Sequence, residues 1–250
     1  MKKVGIIGCG AIGCLIAEAC ENGTIKCDEL ILFDYNIEKS QGLQQSLSIA
    51  SKVVGGVDEI IRRRPAVIVE AASQEAVKEY AEKIIHKNIE LVVMSTGALL
   101  GSNIDKSHIH VPSGAIGGLD AISGAALAGI DEVRLTTRKN PKALRVDIQQ
   151  EKTVYQGTAA EAVKLFPREM NVAATLALTV DPVKVKVKVV ADPDVRRNTH
   201  EINVKWKYGE MFLHFENEPH PNNPGTSALA AWSAIRLLKD MMEKADKSMV

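Results

Sequence analysis

Short apolar runs bounded by turns or charges recur through the first half of the chain: KVGII, ELILFD, AVIVEAA and ELVVMS. Runs of this length without polar alternation suit strands buried on both faces of a parallel sheet. Between them the apolar period changes to three and four. Ala11 to Asn22 reads as a helix ended by Gly23, and QEAVKEYAEKIIHKN reads as another with Ser73 as its N-cap. This βαβα alternation predicts an α/β fold with a Rossmann-type, doubly wound parallel sheet.

The texture changes after about residue 111, where VPSGAIGGLDAISGAALAG is rich in glycine and other small residues. The segments beyond it, DEVRLTTRK, VKVKVKVV, HEINVKWKYG and EMFLHFENE, alternate apolar with polar side chains. That period predicts a mainly antiparallel sheet with one buried face, with Gly209 turning a hairpin. Helices are expected at about 158–165 and 168–179, separated at Pro167. The closing segment reads as an amphipathic helix with Thr226 or Ser227 as N-cap and Leu229, Trp232, Ile235, Leu238 and Met242 on one face. The expected organisation is a dinucleotide-binding domain over 1–110, completed by a helix over 225–250, and an α+β substrate-binding and dimerisation domain over 111–224.

With 250 residues the chain can bury a full core without a disulfide or metal staple. Lys plus Arg and Asp plus Glu both number 31, so no bulk field draws the protein to nucleic acid or an anionic membrane. A small metabolite is the expected partner. The four cysteines, Cys9, Cys14, Cys20 and Cys27, fit neither a zinc pattern nor a disulfide framework and read as packing thiols, with no metal expected. No apolar stretch is long enough to span a bilayer, and the expectation is a soluble, cytoplasmic protein.

The chemistry begins at VGIIGCGAIG, residues 4–13. Gly8 suits the tight strand-to-helix turn, Gly10 allows the backbone to approach a pyrophosphate, and Gly13 permits close helix packing. Amides near Ala11 and Ile12 would face the phosphates. Asp34 closes the next strand, 21 residues beyond Gly13, where its carboxylate can accept from ribose hydroxyls. NAD is therefore favoured, with NADP admitted because Lys39 lies near; capping of the following helix is the structural alternative for Asp34. The strand ends carrying Ala72, Ser95 and Gly97 should open onto the same site, or serve as ordinary turns.

A nicotinamide enzyme acting on an amine or alcohol needs a proton acceptor, and histidine titrates in the right range. Among six histidines, His86 lies at a solvated helix end and His108 and His110 border a strand of the cofactor domain. His200, in NTHEINV, sits where a loop meets a strand and is the candidate base; a histidine satisfied by a backbone partner is the plainer reading.

In order and spacing, GCGAIG, SGAIGGLDA, NVAATLAL, NTHEI and NPGTSALAAWS resemble the L-aspartate dehydrogenase family along the whole chain. The resemblance implies oxidation of L-aspartate at its α-carbon with NAD or NADP to iminoaspartate, which gives oxaloacetate and ammonia or feeds NAD biosynthesis. It implies His200 as acid/base, with an ordinary histidine pKa, and Ala115 and Asn171 as contacts near the nicotinamide. For Asn223, Thr226 and Ser227 the residues themselves suggest a helix N-terminus that attracts carboxylates, with Ser113 and Gly114 completing the substrate wall; simple N-capping is the alternative. The segment KWKYGEMFLHFENEPHPN departs from many relatives in length and aromatic content. A homodimer is expected through the second-domain strands. Two other readings stay open: a Rossmann reductase related to homoserine dehydrogenases or dihydrodipicolinate reductases, and a dinucleotide sensor that needs the glycine turn but not His200.

Overall fold

The computed structural model describes residues 2–220 and 223–247, which divide into two compact units. The first takes the chain up to Ala98, Ser102–Pro112 and the chain from Ala231 onward; the second takes Leu99–Gly101 and Ser113–Ala230.

In the first unit β1 (Lys3–Ile7), α1 (Ala11–Glu21), β2 (Glu29–Phe33), α2 (Ile37–Ser46), β3 (Ser51–Val53), α3 (Val57–Arg62), β4 (Val67–Glu70), α4 (Gln74–Ile85) and β5 (Glu90–Val93) follow in alternation. A 3₁₀ turn at Thr96–Leu99 precedes β6 (Ile109–His110). All neighbours in the sheet are parallel, in the order β3-β2-β1-β4-β5-β6. This is the expected doubly wound arrangement, and the middles of β1, β2, β4 and β5 are apolar and buried because helices cover both faces. Register puts Ile7 opposite both Phe33 and Glu70, and Glu70 opposite Val93, so four strands end in one row. Ser73 caps α4 by accepting from the Ala76 amide, and Gly23 takes φ +77° beyond α1, as the sequence predicts.

The second unit is built from α5 (Leu119–Ala128), β7 (Ile130–Lys139), α6 (Pro141–Leu144), β8 (Lys152–Thr158), α7 (Ala159–Leu165), α8 (Asn171–Thr179), β9 (Val185–Ala191), β10 (Asn198–Trp206) and β11 (Gly209–Asn217). Its sheet runs β11-β10-β7-β9-β8. Three of the four pairings are antiparallel, but β7 and β9 are parallel because β8 and the helices intervene between them. Strand β8 was not foreseen. Val133, Leu135, Val185, Val187, Val189, Ile202 and Val204 share the inward face and pack with Ala162, Val163, Ala173 and Leu176 of the helices. Thr158 opens α7 with a capping box: its hydroxyl accepts from the Glu161 amide, and Glu161 Oε2 accepts from the Thr158 amide at 3.0 Å. The next helix starts at Asn171, later than expected, because the Glu169 and Met170 amides both close a turn onto the Phe166 carbonyl.

Two expectations for the end of the chain are corrected. NPGTS is strand before it is helix: β12 (Pro219–His220) and β13 (Asn223–Ser227) form a ribbon, and α9 (Ala228–Lys247) begins directly after the expected cap residue Ser227, later than the expected start at 225, with the Ala228 amide donating to Glu218 O. On α9, Leu229 and Trp232 are exposed, while Ala231, Ala234, Ile235, Leu238 and Met242 are buried. The cause is angular, since steps of three residues each rotate by about 60° and carry Leu229 to roughly the opposite side from Leu238. The Lys2 ammonium donates to Met242 O at 3.0 Å, tying this helix to the start of the first unit.

Two substitutions test these local constraints. A Cβ at Gly13 would lie 2.0 Å from Gly8 O, a backbone atom, so Gly13→Ala is expected to lower stability by about 1–3 kcal/mol in denaturant titration. Thr158→Ala removes a cap and should cost about 1 kcal/mol in the same assay.

Candidate functional site

The glycine turn of the first unit has the shape a dinucleotide needs. Gly8 takes φ +96°, and a Cβ there would meet Ala71 O at 2.6 Å; Gly13 is closed by Gly8 itself. Gly10 differs, because a Cβ there meets nothing within 4 Å. The turn is thus tight where protein packs on protein and open at the middle glycine, which precedes the first-turn amides of Ala11 and Ile12. Asp34 Oδ2 accepts from the Cys9 amide at 2.8 Å and Oδ1 from the Asn36 amide at 2.9 Å. Asn36, not Asp34, caps α2. A cleft of about 430 Å³ beside Asp34 is bordered by Tyr35, Asp58, Glu79 and Lys83. Three carboxylates against one ammonium suit ribose hydroxyls better than an added phosphate.

At the other strand ends the structure reassigns polar groups. Glu70 is buried at the tip of β4 and accepts from the amides of Ala72 (2.8 Å), Ser73 (2.8 Å) and Ser95 (3.0 Å) and from Ser95 Oγ (2.9 Å). Burial raises its carboxyl pKa, and the four donors oppose that rise. The expected cofactor contacts Ala72 and Ser95 therefore point polar atoms at Glu70, which shapes both loops; Gly97 lies in the 3₁₀ turn that follows. Sequence reasoning passed over Glu70, although a carboxylate closing an apolar strand was a visible signal. His108 Nδ1 and His110 Nε2 both reach Glu90, at 3.0 and 2.6 Å.

The second unit holds the candidate base. His200 is 1 % exposed, and its Nδ1 lies 3.1 Å from Thr137 Oγ1 on the neighbouring strand. With the proton on Nδ1 donated to Thr137, Nε2 keeps a lone pair for chemistry. The inward row of β7 reads Val133, Leu135, Thr137, Lys139, and all four side chains are buried. The inward row of β10 reads Asn198, His200, Ile202, Val204. One sheet face therefore passes from an apolar core to a polar patch at one end. Lys139 Nζ donates to Glu169 O at 3.4 Å, and burial lowers the ammonium pKa to about 8 against the field of the Glu169 carboxylate. Burial first, and the Lys139 charge second, push His200 down to about 3, which corrects the expectation of an ordinary histidine value.

Other expected residues fall around this patch or beside it. Ala115 is buried and its carbonyl accepts from Asn217 Nδ2 at 3.0 Å; Ser227 Oγ accepts from Asn198 Nδ2 at 3.4 Å. Asn171 is the first residue of α8, and Ser113 and Gly114, the latter at φ +70°, precede α5 in a turn. Thr226 is half-buried on β13, whereas the Asn223 side chain lies outside the described residues. Lys139, Thr137, Asn198 and Asn217 were missed. The period-two pattern of DEVRLTTRK carried the signal for Lys139, since it puts a lysine on the same face as Val133 and Leu135.

Among the described residues, no cluster of three or more His, Cys, Asp or Glu is arranged to hold a metal, and no helix is long and apolar enough to cross a membrane.

Residues 120–241 match the family described as aspartate dehydrogenase, C-terminal, and residues 8–110 match the homoserine dehydrogenase, NAD binding domain family. An L-aspartate dehydrogenase of Methanothermobacter thermautotrophicus is 40 % identical, over 97 % of this chain and 97 % of its own. One from Methanocaldococcus jannaschii is 38 % identical, over 97 % and 98 %. Among solved structures, aspartate dehydrogenase from Thermotoga maritima superposes with a TM-score of 0.76 at 29 % identity, covering 96 % of this chain and 97 % of that one. Full-length identity at this level, joined to an NAD-binding domain and a matched C-terminal half, means that the chain belongs to the L-aspartate dehydrogenase family.

Proposed function

We propose that this protein oxidises L-aspartate at its α-carbon with NAD(P), and that His200 is the proton acceptor. The observation that carries the reading is a buried, neutral imidazole fixed at Nδ1 by Thr137, inside the segment matched to the aspartate dehydrogenase family. The nicotinamide, when bound, supplies the acceptor for the hydride leaving the α-carbon. His200 Nε2 takes the proton lost from the amine as the C=N bond forms, so the products are iminoaspartate, the reduced cofactor and one proton. Water attacking the imine carbon, with His200 relaying protons, then gives oxaloacetate and ammonia. Imine released before that attack would be available for pyridine-nucleotide synthesis.

On the cofactor side, Gly8, Gly10, Gly13 and the amides of Ala11 and Ile12 form the pyrophosphate turn, and Asp34 holds the ribose. Gly97, Ala115 and Asn171 are assigned to the nicotinamide end, with Ala72 and Ser95 contributing through loops braced by Glu70. The acidic lining beside Asp34 favours NAD over NADP. Ser113, Gly114, Asn223, Thr226 and Ser227 remain the proposed substrate wall. We also read the assembly as a homodimer: Phe212 is 65 % exposed on the outer face of the second sheet, a surface that a second copy would cover. Sedimentation equilibrium returning a monomer at micromolar concentration would remove that reading.

Three outcomes are expected. His200→Ala should lower kcat on L-aspartate by about 10²–10⁴-fold, followed by the absorbance of reduced nicotinamide, while the Kd for NAD stays unchanged; full turnover in this variant would remove His200 from the chemistry. Gly10→Ala should weaken NAD binding without moving the melting temperature, because the added Cβ meets no protein atom within 4 Å. Since burial and Lys139 hold His200 in its neutral form, the acid limb of kcat/KM should lie below the ordinary histidine value of about 6.5.

A further inference from the structure

A base pushed down to about 3 accepts protons poorly at neutral pH, so something must change at His200 when substrate arrives. The charge that acts on it belongs to Lys139. Both sit on the inward face of the same sheet, Thr137 being paired with His200 and Lys139 lying two residues further along β7. Such diagonal neighbours lie about 7–8 Å apart, with their Cβ atoms somewhat closer, so one small anion meeting the end of the lysine stem is also within reach of the imidazole. Charged groups at this end of the sheet include Lys139, Glu169 and Arg145, with Arg145 Nε 3.8 Å from Glu169 Oε1, and Asp192, whose carboxylate is paired with Arg138 at 2.6 Å. Their sum is one positive charge. Around them stand uncharged hydrogen-bonding side chains, Thr137, Asn198, Asn217 and Ser227, all buried. A net positive, largely desolvated patch with neutral hydrogen-bonding groups suits a carboxylate.

We propose that the Lys139 ammonium receives one carboxylate of the dicarboxylic substrate, which places the reacting α-carbon beside His200. The proposal deepens the assigned reaction and rests on it. A consequence concerns timing. Before binding, burial first and the lysine charge second hold the imidazole neutral. Once a carboxylate pairs with Lys139, that repulsion is cancelled and His200 gains basicity in the complex that needs it. Proton transfer is thereby coupled to the presence of the correct anion.

The test compares wild-type protein with Lys139→Met, using L-aspartate as substrate and succinate, which cannot be oxidised at an amine carbon, as a non-reacting probe titrated calorimetrically into the NAD-loaded protein. Removing one charge-assisted contact should raise the KM for L-aspartate and the Kd for succinate by on the order of 10- to 100-fold, with the Kd for NAD unchanged. In the wild type the acid limb of kcat should lie at higher pH than that of kcat/KM; in Lys139→Met the limb of kcat/KM should move up and meet it. A folded Lys139→Met that keeps its KM and its succinate affinity overturns the proposal. Should that variant fail to fold, the wild-type limbs decide: coincident limbs overturn the proposal and separated limbs support it. Wild-type protein that binds succinate through Lys139 but does not oxidise L-aspartate would strike the assigned reaction and leave the carboxylate site standing.

Discussion

Side chains two residues apart on a strand share a face, and the second unit is organised by that constraint. Once Val133 and Leu135 face inward to make the core, Thr137 and Lys139 have no other side to take; once Ile202 and Val204 do so, His200 and Asn198 follow. A one-residue slip of either strand would expose the core and bury Arg134 or Lys205 instead. The hydrophobic term that fixes register therefore also fixes the imidazole against the Thr137 hydroxyl. Packing and chemistry are set by the same row of side chains.

The first unit solves a different problem with similar means. Parallel strands that end in one row deliver their following loops to one edge, and each loop brings backbone amides that need acceptors. Asp34 serves the glycine turn by taking the Cys9 amide, and Glu70 serves the loops after β4 and β5 by taking three amides and a hydroxyl. A buried carboxylate is costly alone, but four donors offset much of that cost and leave the loops rigid. The loop so held, at Ala71 and Ala72, is what closes on Gly8, while Gly10 stands open.

Much of this was legible in the chain, for reasons that differ by element. The parallel sheet declared itself through uninterrupted apolar runs, and the capped helices through Ser73 and Gly23, because those signals are local. The parallel pairing of β7 with β9 was not legible, since strand direction within a sheet depends on the path of the intervening chain. Strand β8, with its half-exposed residues, lacks the clean alternation of its neighbours. NPGTS read as a helix start because its residue types suit one, and α9 does begin directly after Ser227; that the segment also pairs as a strand, with the Ala228 amide on Glu218 O, depends on a partner that no short window contains. His200 was a candidate from its place at a loop-to-strand boundary and from the family resemblance, but its low basicity was not legible, because desolvation and a charge 61 residues away act only in the folded state.

The pairing of a buried lysine with a buried histidine is electrostatically expensive, and hydrophobic residues of similar volume would pack there at lower cost. Lys139 and His200 cannot both be charged in so small and dry a space, and Lys139, whose pKa falls only to about 8, holds the proton at neutral pH. The arrangement is therefore poised: the imidazole is a free base weakened first by burial and then by the ammonium, and an occupant of the ammonium acts on the second of these. An anion that cancels the lysine charge changes the imidazole without moving an atom of the protein, because Coulomb interactions at short range in a low dielectric respond to charge rather than to shape. A neutral ligand of the same size fills the space and leaves the base weak. Discrimination for the acid would then arise in the proton transfer as well as in binding, so a site that sacrifices stability gains selectivity at the step where it counts.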